Sequence, residues 1–304
     1  MKKTLYTLTL FFFVLFLLDW GFGITMHVIE SKSEDKNYHC RYEANEDILV
    51  LGSSYAARDI VPSVIESELG LTCYNAGEPG NGVIAAWARY NMFINKHTPK
   101  LIIYTLTPLF DYFEDSDYSK YLAAIRPYYG IEPIVNDIYE ELGTCSDRYK
   151  LQSSFVRYNS KWLQTLAHVL THKNQGLNGY EPLYQVYTPD DNNLSRNTDL
   201  FGSVDYKKLK YVEALFSDIV KKDICIVCLI TPHYYKENNL AEYQLGLNLC
   251  KKYNIPVLNS MYHDSISGKK ELFFDSGHLN DRGSKIYSEI IGEFIRQQID
   301  IKQI

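Results

Sequence analysis

The stretch "DILVLGSS" (47–54) is a short apolar run that ends in small residues. A run of this length that stops at a turn signal is typical of a buried β-strand. The segment after it, "ARDIVPSVIESELG", predicts a helix, because Pro62 is tolerated near a helix start and Gly70 can stand just past a helix end. The chain therefore begins its folded part with a strand and a helix, and places Ser53 and Ser54 at the turn between them.

The same alternation continues along the chain. Four further apolar runs are predicted to be strands, helices are predicted between most of them, and the last helix carries isoleucines on one face. The four runs are 71–77, 100–109, 224–232 and 255–260. Strands that alternate with helices predict an α/β fold, with a parallel sheet covered on both faces. Residues 110–205 are predicted to be a largely helical insertion between the third and fourth strands.

The N-terminal stretch "MKKTLYTLTLFFFVLFLLDWGFGITMHVI" (1–29) joins two lysines to a long apolar run that only Asp19 interrupts. Such a run is long enough to cross a bilayer core of about 30 Å. Three interpretations stay open for residues 1–30: an uncleaved membrane anchor, a cleaved signal segment, or a buried helix of a soluble protein. The first two keep the positive end inside and place the rest on the periplasmic side of the cell membrane. Residues 31–46 are predicted to be a polar stalk before a domain at 47–304.

Composition limits the partners. The net charge is −6 over 304 residues, without a block of lysines or arginines, which argues against nucleic acid. Export permits disulfides among the six cysteines but does not fix their pairing. Cys225 and Cys228 lie three apart within a strand and point to opposite faces, so they are expected in the core and not in a redox or zinc pair. The spacing of the glycines fits no phosphate or dinucleotide loop, and neither a cofactor nor a metal is expected.

The carboxyl ends of parallel strands share one edge of a sheet, where ligands bind. The first strand ends at Ser54 and the second at Gly77, while Asp275 and His278 stand in "LFFDSGHLNDRGS" (272–284), before the last helix. A serine becomes a nucleophile when a base removes its proton, and a carboxylate three residues before a histidine can orient that base. The amides of Ser54 and Gly77 are candidate donors to an oxyanion. This set predicts nucleophilic acyl transfer.

These residues resemble the SGNH (GDSL-like) hydrolase family. "VLGSSYAARDI" is similar to its first block, "NAGEPGNG" to its second and "DSGHLNDRGS" to its last. The resemblance covers about 46–109 and 206–300 and implies a flavodoxin-like three-layer α/β/α SGNH hydrolase fold with a catalytic triad of Ser54, His278 and Asp275. Membrane-anchored relatives with a G-S-S-x-x-x-R first block are similar to this chain. The resemblance implies a serine esterase or O-acyltransferase that acts on acyl groups, expected to be acetyl, of cell-surface or dietary polysaccharide.

The chain departs from the family pattern at two places. Ser53 stands where the family often has Asp, and the third strand ends in "TLTPLFD" without the Asn side chain that usually completes the oxyanion hole. We therefore expect a hole of two amides, from Ser54 and Gly77, with the Thr107 hydroxyl as a weak third donor. The missing Asn also keeps open an alternative, a catalytically weak or inactive protein of this fold that binds glycan or acts as a scaffold.

Substrate contacts are expected from the insertion and from the helix that follows the first strand. Arg58 either forms an ion pair within the fold or contacts an acidic substrate. Arg157, Tyr158, Tyr180 and Tyr184 are candidates to line the substrate site, the alternative being ordinary surface or packing roles. The sequence does not distinguish a hydrolase from a transferase, and it leaves the oligomeric state open.

Overall fold

The fold is described from a computed structural model, which covers residues 2–113, 117–159, 161–171, 176–189, 202–235 and 240–299. A five-stranded sheet lies at its centre. The strands are β1 (Ile48–Leu51), β2 (Cys73–Asn75), β3 (Leu101–Thr105), β4 (Cys225–Ile230) and β5 (Val257–Asn259). All neighbouring strands are parallel and their order is β2-β1-β3-β4-β5, the flavodoxin-like order. The α/β fold predicted from the sequence is confirmed.

Helices connect the strands and fill the insertion. The helices in the described ranges are α1 (Lys2–Glu30), α2 (Lys36–Tyr38), α3 (Ser54–Asp59), α4 (Pro62–Leu69), α5 (Val83–Lys96), α6 (Pro108–Asp111), α7 (Ser119–Ile125), α8 (Pro133–Leu142), α9 (Asp147–Lys150), α10 (Ser154–Tyr158), α11 (Lys161–Thr171), α12 (Tyr206–Lys221), α13 (Gln244–Lys252) and α14 (Asp281–Gln298). One π-helical turn spans His39–Glu43, and 3-10 turns span Arg126–Tyr128, Leu240–Tyr243 and Lys270–Leu272.

Two cores cover the two faces of the sheet, as the alternation of side chains along a strand requires. On one face, Leu49 and Leu51 pack with residues of α5 and α12. On the other, Ile48 and Val50 pack with residues of α3, α4 and α14. Cys228 belongs to the first core and Cys225 packs against the second, on opposite faces of β4 as predicted. Helix α3, which begins at Ser54, and the last helix α14 therefore share one side of the sheet.

Residues 31–46 pack on the α/β domain and do not stand free as the predicted stalk. Cys40 is fully buried in the first core. Lys36 is also buried, and its Nζ donates to the Gly77 carbonyl at 2.6 Å and to Glu181 Oε1 at 2.7 Å. A buried ammonium needs such partners, and they hold the segment in place.

Helix α1 is the only helix in the described ranges that is long and apolar enough to cross a membrane. Its apolar side chains are largely exposed, from Leu5 to Val28. Its C-terminal end differs, because Met26 and Glu30 are buried against the rest of the chain. The insertion has two parts, since α7 and α8 extend the first core over α5 while α10 and α11 pack against α1.

Candidate active site

Ser54 is the first residue of α3, directly after β1. Gly52 makes this turn with φ +137°, in a region that favours glycine, and a Cβ at this position would overlap the Thr105 side chain. Ser53 caps the helix, and its hydroxyl accepts the Tyr55 amide at 3.4 Å. The strand, the glycine turn and the cap together fix the position of the Ser54 side chain at the edge of the sheet.

The loop before α14 presents the other two residues. Asp275 Oδ1 accepts the amides of Gly277 at 2.8 Å and His278 at 2.7 Å, so the carboxylate itself folds the loop. The Phe274 amide donates to the His278 carbonyl at 2.9 Å. Asn280 then caps α14 by accepting the Gly283 amide at 3.1 Å. The D-x-x-H spacing is thus a tight turn whose acidic side chain lies beside its own histidine.

The three side chains form one continuous chain of contacts. His278 Nε2 lies 2.8 Å from Ser54 Oγ, and His278 Nδ1 lies 3.0 Å from Asp275 Oδ2. Burial raises the pKa of Asp275, but the hydrogen bonds from His278 and from the two loop amides outweigh it and lower this pKa to about 2. An ionised Asp275 favours a proton on Nδ1, which leaves Nε2 to accept the Ser54 hydroxyl proton. The arrangement can therefore activate an oxygen nucleophile.

Contacts between α3 and the C-terminal segment fix the relative position of these residues. Asp59 Oδ1 accepts the Leu279 amide at 3.1 Å, one residue after His278. Ser284 Oγ donates to the Arg58 carbonyl at 2.8 Å, and Ser288 Oγ accepts the Val61 amide at 2.8 Å. Burial raises the pKa of Asp59 well above its usual value, and the charge of Asp275 adds to this rise. The sequence prediction missed this buried carboxyl, since "ARD" resembles an ordinary helix surface.

Gly77 packs closely against α3, and its amide already has an acceptor within its own turn. The Gly77 amide donates to Asn75 Oδ1 at 3.0 Å, two residues back in the same turn. The Asn75 amide group donates to the Ala56 carbonyl at 2.7 Å and to the Ile60 carbonyl at 2.9 Å. A Cβ on Gly77 would lie 2.6 Å from Ala56 Cβ. The "NAG" turn thus supports α3 by close packing and by capping its carbonyls, a role that the sequence prediction did not assign to it.

Thr107 is hydrogen-bonded within the fold through both its hydroxyl and its amide. Its hydroxyl lies 2.7 Å from the Ser53 hydroxyl. Its amide donates to Asp111 Oδ2 at 2.7 Å, and burial raises the pKa of Asp111 to about 7. The role of the third expected donor, the Ser54 amide, stays a prediction. This amide lies in the first turn of α3, where amides have no partner within a helix.

A cavity of about 350 Å³ is lined by Arg58, which lies one helical turn after Ser54 in α3, but by none of Ser54, Asp275 and His278. Its walls come from α3, from the turn after Gly77, from the segment after α1 and from the insertion. The lining residues are Ser33, Glu34, Lys36, Arg58, Glu78, Pro79, Gln164, His168, Gly179, Tyr180 and Glu181. Arg58 and Tyr180, two of the predicted substrate contacts, both line this cavity, and their contact with substrate stays a prediction. The buried Nε of Arg58 has no hydrogen-bond partner among the described residues.

Arg157 and Tyr158 lie elsewhere, against α1. The Tyr158 hydroxyl donates to Glu30 Oε2 at 2.9 Å, and Arg157 donates to Ser154 Oγ at 2.9 Å. Both line a second cavity, with Trp20 and His27 of α1 and without any residue of the Ser54–His278–Asp275 set. The expectation that these two residues line the substrate site is not met, because α10 packs on the N-terminal helix. Tyr184 is 75% exposed and lines neither cavity.

The sequence analysis missed two aromatic residues near His278, Tyr55 and His233. The Tyr55 ring lies 5.1 Å from the His278 ring and 5.9 Å from the His233 ring, between ring centroids. His233 follows β4 in "ITPHYY", so inspection of the carboxyl end of this strand would have found it. Within the described ranges, the His, Cys, Asp and Glu side chains form no group of three or more that could hold a metal ion.

Comparisons with known proteins found solved structures of low similarity. No protein-family model and no curated protein matches the chain. One similar structure is a protein assigned to the lipolytic G-D-S-L family from Desulfitobacterium hafniense DCB-2, at 10% identity over 81% of this chain and 98% of that chain, with a TM-score of 0.40. The acetyl xylan esterase AlAXEase is similar at 11% identity over 83% of this chain and 99% of that chain, with a TM-score of 0.39.

A third similar structure is LAE5, an α/β hydrolase enzyme from the metagenome of Lake Arreo, Spain. It matches at 10% identity over 82% of this chain and 94% of that chain, with a TM-score of 0.38. The three TM-scores lie at or below 0.40, and these similarities do not assign the chain to a family.

Proposed function

We propose that the protein is an extracytoplasmic, membrane-anchored serine esterase or O-acyltransferase of the SGNH type, with Ser54 as nucleophile. The observation that carries the proposal is the contact of His278 Nε2 with Ser54 Oγ at 2.8 Å, with Asp275 on the other ring nitrogen. Such a chain of contacts has a chemical use, because neither a cap nor a surface loop requires an imidazole between a hydroxyl and a carboxylate. Acyl esters of polysaccharide, expected to be acetyl esters, are the proposed substrates.

The first half-reaction forms an acyl-enzyme. Ser54 Oγ attacks the ester carbonyl carbon while His278 Nε2 takes the hydroxyl proton. Asp275 stays ionised, holds Nδ1–H and stabilises the imidazolium that forms. The oxygen of the tetrahedral intermediate takes the negative charge, and the Ser54 amide at the start of α3 is its proposed donor. The C–O bond to the sugar then breaks, and His278 returns the proton to the leaving sugar oxygen.

The second half-reaction removes the acyl group from Ser54. A water molecule or a sugar hydroxyl attacks the acyl carbon, and His278 accepts its proton. Ser54 leaves as the hydroxyl after it regains the proton from His278 Nε2. Water gives an esterase and a sugar hydroxyl gives an O-acyltransferase, so the same three side chains serve both activities.

A second candidate is a glycan-binding or scaffold protein of the same fold with weak or absent catalysis. The observation in its favour is the Gly77 amide, which donates to Asn75 Oδ1 and so leaves the proposed hole with fewer donors. Loss of one donor costs about 10²–10³ in rate in other serine hydrolases. A glycan bound in the adjoining cavity would offset part of this cost by fixing the carbonyl against Ser54.

Labelling with a fluorophosphonate separates the two candidates. The full-length protein in detergent is treated with the probe, and the modified residue is located by mass spectrometry. We expect modification of Ser54 in the wild type, none in Ser54→Ala, and strongly slowed labelling in His278→Ala. A folded wild type that stays unmodified would support the non-catalytic candidate. Incubation with acetylated glycans then identifies the substrate by the mass of acylated Ser54, with and without acceptor sugars.

A further inference from the structure

The second cavity, of about 340 Å³, lies between α1 and the insertion. Two contacts bracket it along α1. At the inner end, Asp19 accepts the Ser153 hydroxyl at 2.6 Å and the Ser154 amide at 2.9 Å. At the outer end, Glu30 Oε2 accepts the Tyr158 hydroxyl at 2.9 Å. Helix α10 therefore packs along the C-terminal part of α1, and residues of both helices line the cavity.

The position of the cavity along α1 sets its depth in the membrane that α1 is proposed to cross. With Lys3 at the inner boundary of a hydrocarbon core about 30 Å thick, the outer boundary falls near Gly23 at about 1.5 Å per residue. Glu30 lies about 10 Å further along the axis. Side chains of a helix lean towards its N-terminus, which brings the Glu30 carboxylate back towards this boundary. The cavity therefore lies at the level of the lipid headgroups, a layer about 5–7 Å thick.

The cavity opens to its surroundings, because three of the residues that line it are also exposed. Trp20, Ile24 and Ile131 are 60%, 47% and 40% exposed. Trp20 and Ile24 belong to the exposed apolar surface of α1, and an aromatic residue at this level is typical of a membrane interface. A lipid that lies against this part of α1 can place its headgroup in the cavity.

The cavity is lined by an acid and a base whose hydrogen-bonding groups are only partly used. Glu30 is 2% exposed, and its Oε1 is buried without a well-formed hydrogen bond among the described residues. The same holds for Arg157 Nε, although the Nη atoms of Arg157 donate to the Tyr129 carbonyl and to Ser154 Oγ. A buried polar group without a partner is costly. These two groups therefore favour a ligand that supplies both a donor and an acceptor.

Aromatic side chains make up much of the remaining lining. They are Tyr42, Tyr128 and Tyr158, together with the His27 ring, which lies 5.2 Å from the Tyr42 ring between centroids. Aromatic rings combined with a carboxylate are a favourable environment for an ammonium group. The guanidinium of Arg157 suits a phosphate. The cavity thus offers partners for a cation and for an anion.

We infer that this cavity binds the headgroup of a zwitterionic phospholipid, with the phosphate on Arg157 and the ammonium on Glu30. The inference rests on the proposed membrane anchor, which places the cavity at headgroup level. Phosphatidylethanolamine fits better than phosphatidylcholine, because its ammonium has N–H donors for Glu30 Oε1 and a trimethylammonium has none. The cavity volume is that of about ten water molecules, which accommodates a phosphoethanolamine group. A lipid held by α1 and α10 together fixes the orientation of the α/β domain on the membrane.

Native mass spectrometry of the full-length protein in a non-ionic detergent tests the inference. Three phospholipids with identical acyl chains and with ethanolamine, choline or glycerol headgroups are added at equal concentration, and each retained lipid is identified by its mass. We expect the ethanolamine lipid to bind about tenfold more tightly than the other two, since one charge-assisted hydrogen bond distinguishes it. The mass of the protein shows whether α1 is retained.

Two substitutions assign the binding to this cavity. Glu30→Gln removes the charge but can still accept the Tyr158 hydroxyl, and it should abolish the preference for the ethanolamine lipid over the glycerol lipid. Arg157→Gln should weaken the binding of all three lipids by about tenfold. Arg148→Gln and Glu140→Gln, at exposed positions of α9 and α8, should leave lipid binding unchanged. Circular dichroism checks that each variant is folded.

Equal binding of the three lipids by a protein that retains α1 would overturn the inference. A preference for the ethanolamine lipid that survives both Glu30→Gln and Arg157→Gln would also overturn it, because the lipid then binds elsewhere. Loss of α1 from the purified protein removes one wall of the cavity and would have the same consequence. If Arg157→Gln does not fold, the wild type and Glu30→Gln decide. Fluorophosphonate labelling of Ser54 is read separately, so a failure here is distinct from a failure of the proposed esterase.

Discussion

Asp59 Oδ1 accepts the Leu279 amide at 3.1 Å and so joins α3, which begins at Ser54, to the loop that carries His278. Its other oxygen, Oδ2, is buried and has no hydrogen-bond partner among the described residues. Asp275 lies close enough for its charge to raise the Asp59 pKa, while the pKa of Asp275 itself is lowered. Two neighbouring carboxyl groups are thus driven to opposite protonation states, a pattern that often separates the roles of acidic groups in active sites.

We predict that Asp59→Leu impairs the site more than Asp59→Asn. Leucine leaves the buried Leu279 amide without an acceptor, which costs about 1–3 kcal/mol of folding free energy and loosens the position of His278. Asparagine keeps the Oδ1 acceptor. Turnover of a chromogenic acetate ester and the midpoint of denaturant unfolding give the two readouts. Equal loss of turnover in both variants would argue against a positioning role for this hydrogen bond.

The Asp59 substitution should also alter the pH dependence of stability. The folded pKa of Asp59 lies above its usual value of 3.8, so the contribution of this group is fully present below that pH and is lost as the pH rises through the folded pKa. In Asp59→Asn this loss is absent. The free energy of unfolding of the variant relative to wild type should therefore increase from pH 4 upward, measured by denaturant unfolding in detergent. A constant difference would contradict the raised pKa.

The contribution of Asp275 to the free energy of unfolding should change with pH in the opposite direction to that of Asp59. The folded pKa of Asp275 is about 2, below the usual 3.8, so the hydrogen bonds that its ionised carboxylate accepts from His278 and the loop amides stabilise the fold above about pH 4, and this contribution is lost as the pH falls towards 2. Asp275→Asn removes this loss, and the free energy of unfolding should then fall less steeply with acid than in the wild type. Equal slopes for the two proteins below pH 4 would show that these hydrogen bonds do not form in solution.

The triad substitutions should separate the nucleophile and base from the residue that orients the base. Ser54→Ala and His278→Ala remove a group that makes or breaks bonds, and each should lower kcat by about 10⁴ or more. Asp275→Ala should cost less, because it leaves the base in place without its orienting partner. Circular dichroism and the unfolding midpoint check that each variant is folded. Near wild-type turnover in Ser54→Ala would exclude this residue as the nucleophile.

Sequence alone predicts the parts of the site that are local in the chain. Asp275 and His278 lie in one turn, and Ser54 directly follows an apolar strand, so each is visible as a short pattern. Asp59 is not, because its partner Leu279 is 220 residues away and only the packed fold brings them together. The hydrogen bond of the Gly77 amide was also not visible in the sequence. A glycine is required at the predicted position, but its amide donates to the Asn75 side chain in its own turn.

The insertion was harder to interpret for the same reason. Position between β3 and β4 places it at the carboxyl edge of the sheet, which predicts substrate contacts for its polar and aromatic residues. Tyr180 does line the cavity, but Arg157 and Tyr158 turn towards α1. The sequence feature that could have indicated this packing against α1 is Asp19, a charged residue in an apolar helix that needs hydrogen-bond donors from elsewhere in the chain.

Gly52→Ala should destabilise the protein more than a substitution at another glycine with positive φ. Gly52 has φ +137°, and a Cβ there would overlap the Thr105 side chain, whereas Gly70 has φ +70° with nothing within 4 Å of its Cβ position. Gly70→Ala therefore reports the backbone cost of the αL region, about 1 kcal/mol, and the excess in Gly52→Ala reports the more restricted φ of Gly52 together with its close approach to Thr105. Denaturant unfolding measures both. A Gly52→Ala cost no larger than that of Gly70→Ala would show that this contact can relax.

Arg58 offers the last prediction, which concerns the proposed substrate. Its Nε is buried at the cavity one turn from Ser54 without a hydrogen-bond partner among the described residues, and a guanidinium in this state suits a carboxylate of an acidic sugar. A charge-assisted hydrogen bond contributes about 1.5–3 kcal/mol, so Arg58→Gln should lower kcat/KM by about 10–100-fold on an acetylated oligosaccharide that contains a uronic acid. The loss should be smaller on a neutral oligosaccharide of the same length and acetylation. Arg148→Gln, at an exposed position on α9, is the matched control. Equal losses on the acidic and the neutral substrate would assign Arg58 to the stability of α3 and not to recognition of an anionic group.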